Sequence, residues 1–85
     1  MASEDDFKAA AERVKTLTKR PSNDELLQLY ALFKQATTGD VSGKKPSRLK
    51  IKERAKFEAW EKQKGTSQDA ARTAYVALVD RLVGG

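Results

Sequence analysis

The amino-acid sequence predicts an all-α domain made of four helices. Apolar residues recur at intervals of three and four along four separate segments, which is the period of an amphipathic helix. No segment alternates apolar and polar residues long enough to indicate a strand. Pro21, Gly39 and Gly65 fall between the segments, where residues that interrupt helices are expected. The 85 residues suit one small domain, so we assign residues 1–85 to a single unit.

The first helix is predicted from one apolar stripe. Its members recur at helical spacing and are Phe7, Ala10, Ala11, Val14 and Leu17. Asp5 or Asp6 is expected to cap the helix, because an acidic side chain stabilises the positive helix end. Pro21, preceded by two basic residues, is expected to close it.

The second helix has the clearest boundaries. Ser22 and Glu25 have the spacing of a capping box, which predicts a start near Asn23. We expect the helix to end at Thr37 or Thr38, with Gly39 as a left-handed cap. Its main apolar stripe contains Leu26, Leu29, Tyr30, Phe33 and Ala36. Leu27 and Leu32 lie outside this stripe, so the helix is either enclosed on two sides or presents one side to a ligand.

Three residues of this helix form the first candidate site. Tyr30 and Lys34 are four residues apart and Phe33 lies between them, so all three fall within one turn. A phenol and an ammonium group suit a phosphate, and an aromatic face suits a stacked base. Aromatic stripes on helices are more often core than ligand contacts. Spacing alone therefore leaves both interpretations open.

A long loop and two further helices complete the chain. Residues 38–47 contain two Gly and one Pro, which predicts a loop of about ten residues that permits a crossover between parallel neighbours. The third helix is expected to start between Ser47 and Lys52 and to end before Gly65. Ile51, Ala55 and Ala59 share one of its faces. The fourth is expected to follow a cap at Thr66 or Ser67, and its apolar stripe contains Ala71, Ala74, Tyr75, Leu78 and Leu82.

The excess positive charge is concentrated in one segment. The formal net charge is +5. Residues 44–56 contain seven basic residues and one acidic residue, Glu53, while the rest of the chain has ten basic and eleven acidic residues. This distribution is typical of a local anion site or a nucleic-acid patch. A merely solubilising role for the segment is equally compatible with the charge pattern.

The composition argues against an enzyme. The chain has no Cys, which excludes a thiolate metal site, and no His, which removes the commonest metal ligand and the commonest general base. Acidic pairs occur at predicted helix starts, where capping explains them, and Gly39 and Gly43 do not form a phosphate-binding loop. No apolar run is long enough to span a membrane, and the acidic N-terminus does not have the pattern of a signal peptide. We therefore expect a cytoplasmic, non-catalytic binding protein.

The motif on the second helix resembles that of the acyl-CoA-binding protein family. The stretch Tyr30–Asp40 is similar to the family pattern Tyr-x-x-Tyr-Lys-Gln-Ala-Thr-x-Gly-Asp, with Phe33 in place of the second tyrosine. Residues 56–60 and 64–67 resemble its Lys-aromatic-x-Ala-Trp and Lys-Gly-(Thr/Met)-Ser stretches. Further matches lie in the first helix, from Phe7 to Lys15, and at Ala74 and Tyr75. They follow one another in order along nearly the whole chain.

The resemblance implies a four-helix up-down-down-up bundle that holds one long-chain acyl-CoA. It implies that Tyr30, Lys34 and Lys56 hold the 3′-phosphate of CoA and that Phe33 stacks on the adenine. Lys15 would line the nucleotide, and Tyr75 would contact CoA and the start of the acyl chain. Leu27 and its neighbours would line the acyl groove, and Leu32 is a further candidate for its surface. Ala31 and Lys52 complete the predicted ligand-binding residues.

The resemblance also sets the expected partners. The ligand is a long-chain acyl-CoA, with acyl-CoA-using enzymes as possible recipients, and no other cofactor is expected. A monomer is expected, with neither nucleic-acid binding nor stable membrane insertion. From the residues alone, a basic helical nucleic-acid-binding module is the second hypothesis and a helical protein-interaction domain the third.

Overall fold

A computed structural model describes residues 3–84 as four helices, with no strand within that range. Helix α1 spans Glu4–Arg13, α2 Asn23–Thr37, α3 Ile51–Glu61 and α4 Gln68–Gly84. A short 3-10 turn, Val14–Thr16, continues α1. The all-α prediction is confirmed. Met1, Ala2 and Gly85, which belong to the predicted domain, lie outside the described residues.

The first helix differs from the prediction at both ends. Ser3, not Asp5 or Asp6, is the N-cap, and it forms a capping box with Asp6. The α-helix stops at Arg13, well before Pro21. The Thr16 hydroxyl donates a hydrogen bond to the Arg13 carbonyl at 2.7 Å, and Leu17 then turns to ψ 128°. A side chain that binds a nearby carbonyl competes with helix continuation, and this local effect is invisible in the apolar periodicity.

The other boundaries follow the sequence signals. Ser22 and Glu25 form the expected capping box at the start of α2. Gly39 has φ +94°, and its N–H donates to the carbonyls of Lys34 and Gln35. An L side chain rarely adopts this φ, so a glycine is favoured there. At α4, the Ser67 hydroxyl accepts from the Ala70 N–H, which makes Ser67 the predicted cap.

Contacts between the helices establish their directions. Arg13 at the end of α1 pairs with Asp80 late in α4, and Phe7 contacts Tyr75, so α1 and α4 run in the same direction. Gln35, late in α2, bonds to the Thr66 carbonyl just before α4, so α2 and α4 are antiparallel. Early and late residues of α2 lie beside early and late residues of α3 respectively, so these two helices are parallel. The topology is therefore the predicted up-down-down-up arrangement.

The loop between α2 and α3 makes the crossover that parallel neighbours require. It runs from Thr38 to Lys50 and ends in a turn, in which the Lys50 N–H donates to the Ser47 carbonyl at 3.0 Å. Arg54 on α3 donates to the Pro46 carbonyl at 3.2 Å and fixes this turn against the helix. The loop thus returns the chain to the start of α3 beside the start of α2.

The core is formed mainly by α1, α2 and α4. It contains eight buried residues that contact one another: Phe7, Ala10, Leu29, Ala36, Ala71, Tyr75, Leu78 and Val79. Helix α3 packs against α2 and contributes Trp60 as its buried residue. Ile51, predicted on the same face as Ala55 and Ala59, is the first residue of α3 and is 76% exposed. Helix α3 is therefore held on one side only, which leaves grooves along the α2–α3 seam.

A buried amide joins the ends of three helices. Gln35 is 1% exposed, and its Nε2 donates to the Asp40 carboxylate and to the Thr66 carbonyl, both at 2.8 Å. The Gly65 N–H donates to the same Asp40 oxygen at 2.9 Å. These hydrogen bonds lower the pKa of Asp40 below its usual value. They connect the end of α2 to the turn between α3 and α4, and so fix the position of the adjoining Lys34.

Candidate functional site

Two aromatic residues and two lysines meet between α2 and α3. The Lys56 Nζ lies 5.4 Å from the centroid of the Tyr30 ring, and the Lys34 Nζ lies 5.0 Å from that of Trp60. The rings of Tyr30 and Trp60 line one groove of about 300 Å³, which we call the Tyr30 groove. Two ammonium groups therefore flank a groove that also presents a phenol. This combination of donors suits a phosphate group.

The Tyr30 groove also contains residues that sequence reasoning missed. Pro46, Glu53, Phe57 and Trp60 line it together with Tyr30 and Lys56. Trp60 is 9% exposed, and its Nε1 donates a hydrogen bond to the Gly39 carbonyl at 2.8 Å. Pro46 reaches the groove only because the loop folds back onto α3. No periodicity along the sequence could indicate that approach.

A second groove continues from the first along the seam. We call it the Leu27 groove; it has a volume of about 450 Å³. Its lining is Arg20, Asn23, Leu26, Leu27, Ile51, Lys52, Ala55 and Lys56. Lys56 lines both grooves, so a cationic site adjoins an apolar one. The predicted residues Leu27, Lys52 and Lys56 are brought together here.

Two predicted groove residues lie deeper in the bundle. Ala31 is 1% exposed and, with Leu27, lies in a third groove of about 560 Å³ on the α2–α3 seam. Leu32 is half-buried and packs against the core formed by α1, α2 and α4. Its side chain lines none of the grooves described here. The predicted ligand roles of Ala31 and Leu32 remain predictions.

Phe33 and Tyr75 meet on the other side of α2. Their ring centroids are 5.9 Å apart, and Phe33 also stacks on Phe7 at 5.4 Å with an angle of 26° between the planes. Phe33 is 38% exposed, so part of its ring faces solvent. Tyr75 is 4% exposed, and burial raises the pKa of its phenol above the usual value. Tyr75 is therefore a core residue, as spacing alone favoured, and its phenol is neutral at physiological pH.

Lys15 lies near Tyr75 but apart from the two other lysines. It lines a groove of about 490 Å³ with Tyr75, Leu26 and residues of the segment that joins α1 to α2. Its ammonium group pairs with Glu12 at 3.6 Å, and both side chains are largely exposed. Arg20 and Leu26 line this groove and the Leu27 groove alike. The groove that Lys15 and Tyr75 line therefore adjoins the Leu27 groove around the start of α2.

The positive charge of the basic segment, residues 44–56, is partly neutralised by acidic residues that the fold brings close to it. Lys45 lies 3.5 Å from both Glu58 and Glu61, and Arg54 lies 4.0 Å from Glu58. Both acidic residues follow residues 44–56 in the sequence, so the charge count over that segment did not include them. Within residues 3–84, Lys34, Lys52 and Lys56 form no ion pair, so these three cations at and beside the grooves keep their charge.

Comparison with known proteins agrees with this geometry. The family model described as Acyl CoA binding protein matches residues 4–79. An acyl-CoA-binding protein homolog of Drosophila melanogaster is 61% identical over 77 residues, which cover 91% of this chain and 90% of that protein. The acyl-CoA-binding protein of Saccharomyces cerevisiae is 52% identical over 77 residues, which cover 91% and 88% of the two chains.

Solved structures show the same fold. The crystal structure of acyl-CoA-binding protein 2 of Oryza sativa has a TM-score of 0.92 at 37% identity and covers 95% of this chain and 88% of its own. The solution structure of an acyl coenzyme A binding protein from yeast has a TM-score of 0.72 at 51% identity and covers 92% of this chain and 91% of its own. The resemblance noted in the sequence and the prediction of a non-catalytic binding protein are confirmed. The matched residues, the identities and the shared bundle show that the chain belongs to the acyl-CoA-binding protein family.

Proposed function

We propose that this protein binds long-chain fatty acyl-CoA esters, one per chain, and carries and buffers them without catalysis. The observation that supports this most is the position of Lys56. Its side chain lines both the Tyr30 groove and the Leu27 groove, so a site for an anion adjoins a site for an apolar chain. An acyl-CoA has the matching form, with a phosphorylated head and a hydrocarbon tail.

The head of the ligand is assigned to the lysines and aromatic residues of α2 and α3. Tyr30, Lys34 and Lys56 would bind the 3′-phosphate, since a phenol and two ammonium groups donate charge-assisted hydrogen bonds to its oxygens. Phe33 would stack on the adenine with the exposed part of its ring. Stacking requires only a ring face, so a phenylalanine can replace the usual tyrosine of the family. Lys15 and Tyr75 would contact the remainder of the CoA moiety.

The tail is assigned to the Leu27 groove. Leu27 and Ala55 provide apolar wall, and Lys52 also lines the groove. Each buried CH₂ group contributes about 0.8 kcal/mol. Affinity should therefore rise with acyl length until the groove is filled. Equal affinities for medium-chain and long-chain esters would contradict this assignment.

The surroundings of the protein are part of the proposal. A cytoplasmic monomer that needs no further cofactor fits a carrier that passes its ligand to acyl-CoA-using enzymes. Within residues 3–84, no helix is long and apolar enough to span a bilayer. The same residues contain no cluster of acidic side chains able to hold a metal ion.

Two lysine variants test the head site. Lys34→Ala and Lys56→Ala should each weaken acyl-CoA binding by roughly tenfold to a hundredfold, because each removes a charged hydrogen bond worth about 1.5–3 kcal/mol. Their unfolding free energies should change by less than about 1 kcal/mol, because surface cations contribute little to stability. Lys8→Ala on α1 is the matched control. Parental affinity in both site variants, measured by calorimetry, would refute the assignment.

A further inference from the structure

Two large aliphatic side chains are exposed at the turn that leads into α3. Leu49 exposes 92% of its surface and Ile51 exposes 76%. The other exposed large apolar residues, Phe33 and Val83, expose 38% and 39% and are thus more than half covered. Neither Leu49 nor Ile51 belongs to the core. Exposure of two neighbouring aliphatic side chains to this extent indicates a surface that binds another molecule or a membrane.

The turn holds these side chains in a fixed position. The Lys50 N–H donates to the Ser47 carbonyl at 3.0 Å, which places Leu49 inside a closed turn. Arg54 ties the preceding Pro46 carbonyl to α3 at 3.2 Å. Ile51 is the first residue of the helix itself. The exposed apolar pair is therefore presented by an anchored turn.

Basic residues alternate with the two aliphatic ones. We call residues 48–52, Arg-Leu-Lys-Ile-Lys, the tip segment. It has three cations and no acidic residue. Within residues 3–84, none of these cations takes part in an ion pair, whereas Lys45 and Arg54 nearby are paired with acidic residues of α3. The tip segment thus combines apolar surface with unneutralised positive charge.

We propose that the tip segment docks this protein on the surface of an anionic lipid bilayer. Leu49 and Ile51 enter the boundary between headgroups and acyl chains, while Arg48, Lys50 and Lys52 contact the anionic headgroups. The charge of the segment is complementary to such a surface. A nucleic-acid backbone would use the cations and leave the aliphatic pair in water. Two side chains on a convex turn also cover far less than the roughly 800 Å² per partner of a stable protein interface.

Docking on a bilayer goes beyond the proposed function. One consequence of docking rests on the proposed function, because it uses the acyl-chain assignment of the Leu27 groove. Ile51 and Lys52 line the Leu27 groove, which we assign to the acyl chain. A docked tip segment therefore brings the open end of that groove to the lipid surface, where an acyl chain can pass between groove and bilayer with little exposure to water.

The test is flotation of the full chain, without ligand, with phosphatidylcholine vesicles that contain or lack phosphatidylserine. The protein should bind the anionic vesicles, and added salt should weaken that binding. The double variant Arg48→Gln/Lys50→Gln should partition roughly 25-fold less, at about fivefold per basic residue. Leu49→Ser should partition roughly tenfold less. Val83→Ser, which replaces an exposed apolar residue on α4, is the matched control and should bind as the parent does.

Three results would overturn the proposal: absence of vesicle binding, equal binding to neutral vesicles, or parental binding by Leu49→Ser. Self-association that Leu49→Ser abolishes, without vesicle binding, would assign the tip segment to a second copy instead. Palmitoyl-CoA titration of Leu49→Ser separates failure of the docking proposal from failure of the proposed acyl-CoA binding. Leu49 lines none of the grooves described, so its replacement should leave ligand affinity unchanged. Loss of docking with parental ligand affinity supports the proposal, whereas parental docking with lost ligand affinity contradicts it.

Discussion

Two replacements of Trp60 should distinguish its contribution to the stability of the bundle from its contribution to ligand binding. The indole is 9% exposed, and it is the buried residue through which α3 packs on the rest of the molecule. Its Nε1 donates to the Gly39 carbonyl at 2.8 Å, which ties α3 to the turn after α2. Both the packing and the hydrogen bond are lost in Trp60→Ala, whereas Trp60→Phe keeps most of the packing.

The expected magnitudes follow from this burial. Truncation of a buried tryptophan to alanine costs about 3–5 kcal/mol. A domain of this size has a total stability of roughly 4–13 kcal/mol, so Trp60→Ala should lose a large share of it. The melting temperature should fall by at least about 12 °C, at about 4–8 °C per kcal/mol. Trp60→Phe should lose about 1–2 kcal/mol, mainly the hydrogen bond and a small amount of apolar surface.

The assay is urea unfolding followed by far-UV circular dichroism. Fluorescence is unsuitable because Trp60 is the sole tryptophan of the chain. Trp60→Phe should retain acyl-CoA affinity within a few-fold, since an aromatic face remains in the Tyr30 groove beside Lys34. A loss below about 1 kcal/mol in Trp60→Ala would refute the view that this side chain holds α3 in place.

Three further predictions concern the buried amide, a helix cap and the stacking ring. The pKa of Asp40 is lowered by the Gly65 N–H and by Gln35, so its stabilisation is present above pH 3.8 and is lost as the pH falls. Acid unfolding of Asp40→Asn, followed by circular dichroism, should therefore be less steep below that pH, and an unchanged slope would contradict the assignment. Ser22→Ala should lower the unfolding free energy by about 1 kcal/mol in urea titrations, because the capping box of α2 is lost; no change would show that the cap is dispensable. Phe33→Leu should weaken acyl-CoA binding by about 1–3 kcal/mol in calorimetry, and Phe33→Tyr should preserve it, whereas equal affinities in all three proteins would exclude stacking.

The sequence predicted the helices because local signals specify them. Ser22 with Glu25 and Gly39 with its left-handed backbone set the two ends of α2 through contacts within a few residues. The early end of α1 was missed because the Thr16 hydroxyl takes the Arg13 carbonyl, an interaction that no periodicity reports. The exposure of Ile51 was missed for a related reason, since apolar spacing identifies a face but not whether a neighbour covers it.

The candidate site was predictable where its residues share one helix. Tyr30 and Lys34 are four residues apart, so their proximity follows from helix geometry. Lys56 lies on another helix, and its place beside Tyr30 follows from the resemblance and not from spacing. The count along the chain also overstated the net positive charge of the basic segment. Glu58 lies outside that segment in the sequence, but in the folded chain it pairs with Lys45. Contacts made through tertiary folding therefore limited what the sequence could predict.

The central claim is that one site binds the head and the tail of an acyl-CoA together. Calorimetric titration with palmitoyl-CoA, with free CoA and palmitate as controls, tests it most directly. The account predicts one tight site per chain for the ester and much weaker binding of either fragment, because the Tyr30 and Leu27 grooves adjoin at Lys56. Binding of CoA or palmitate as tight as that of the ester, or no binding of the ester, would contradict it.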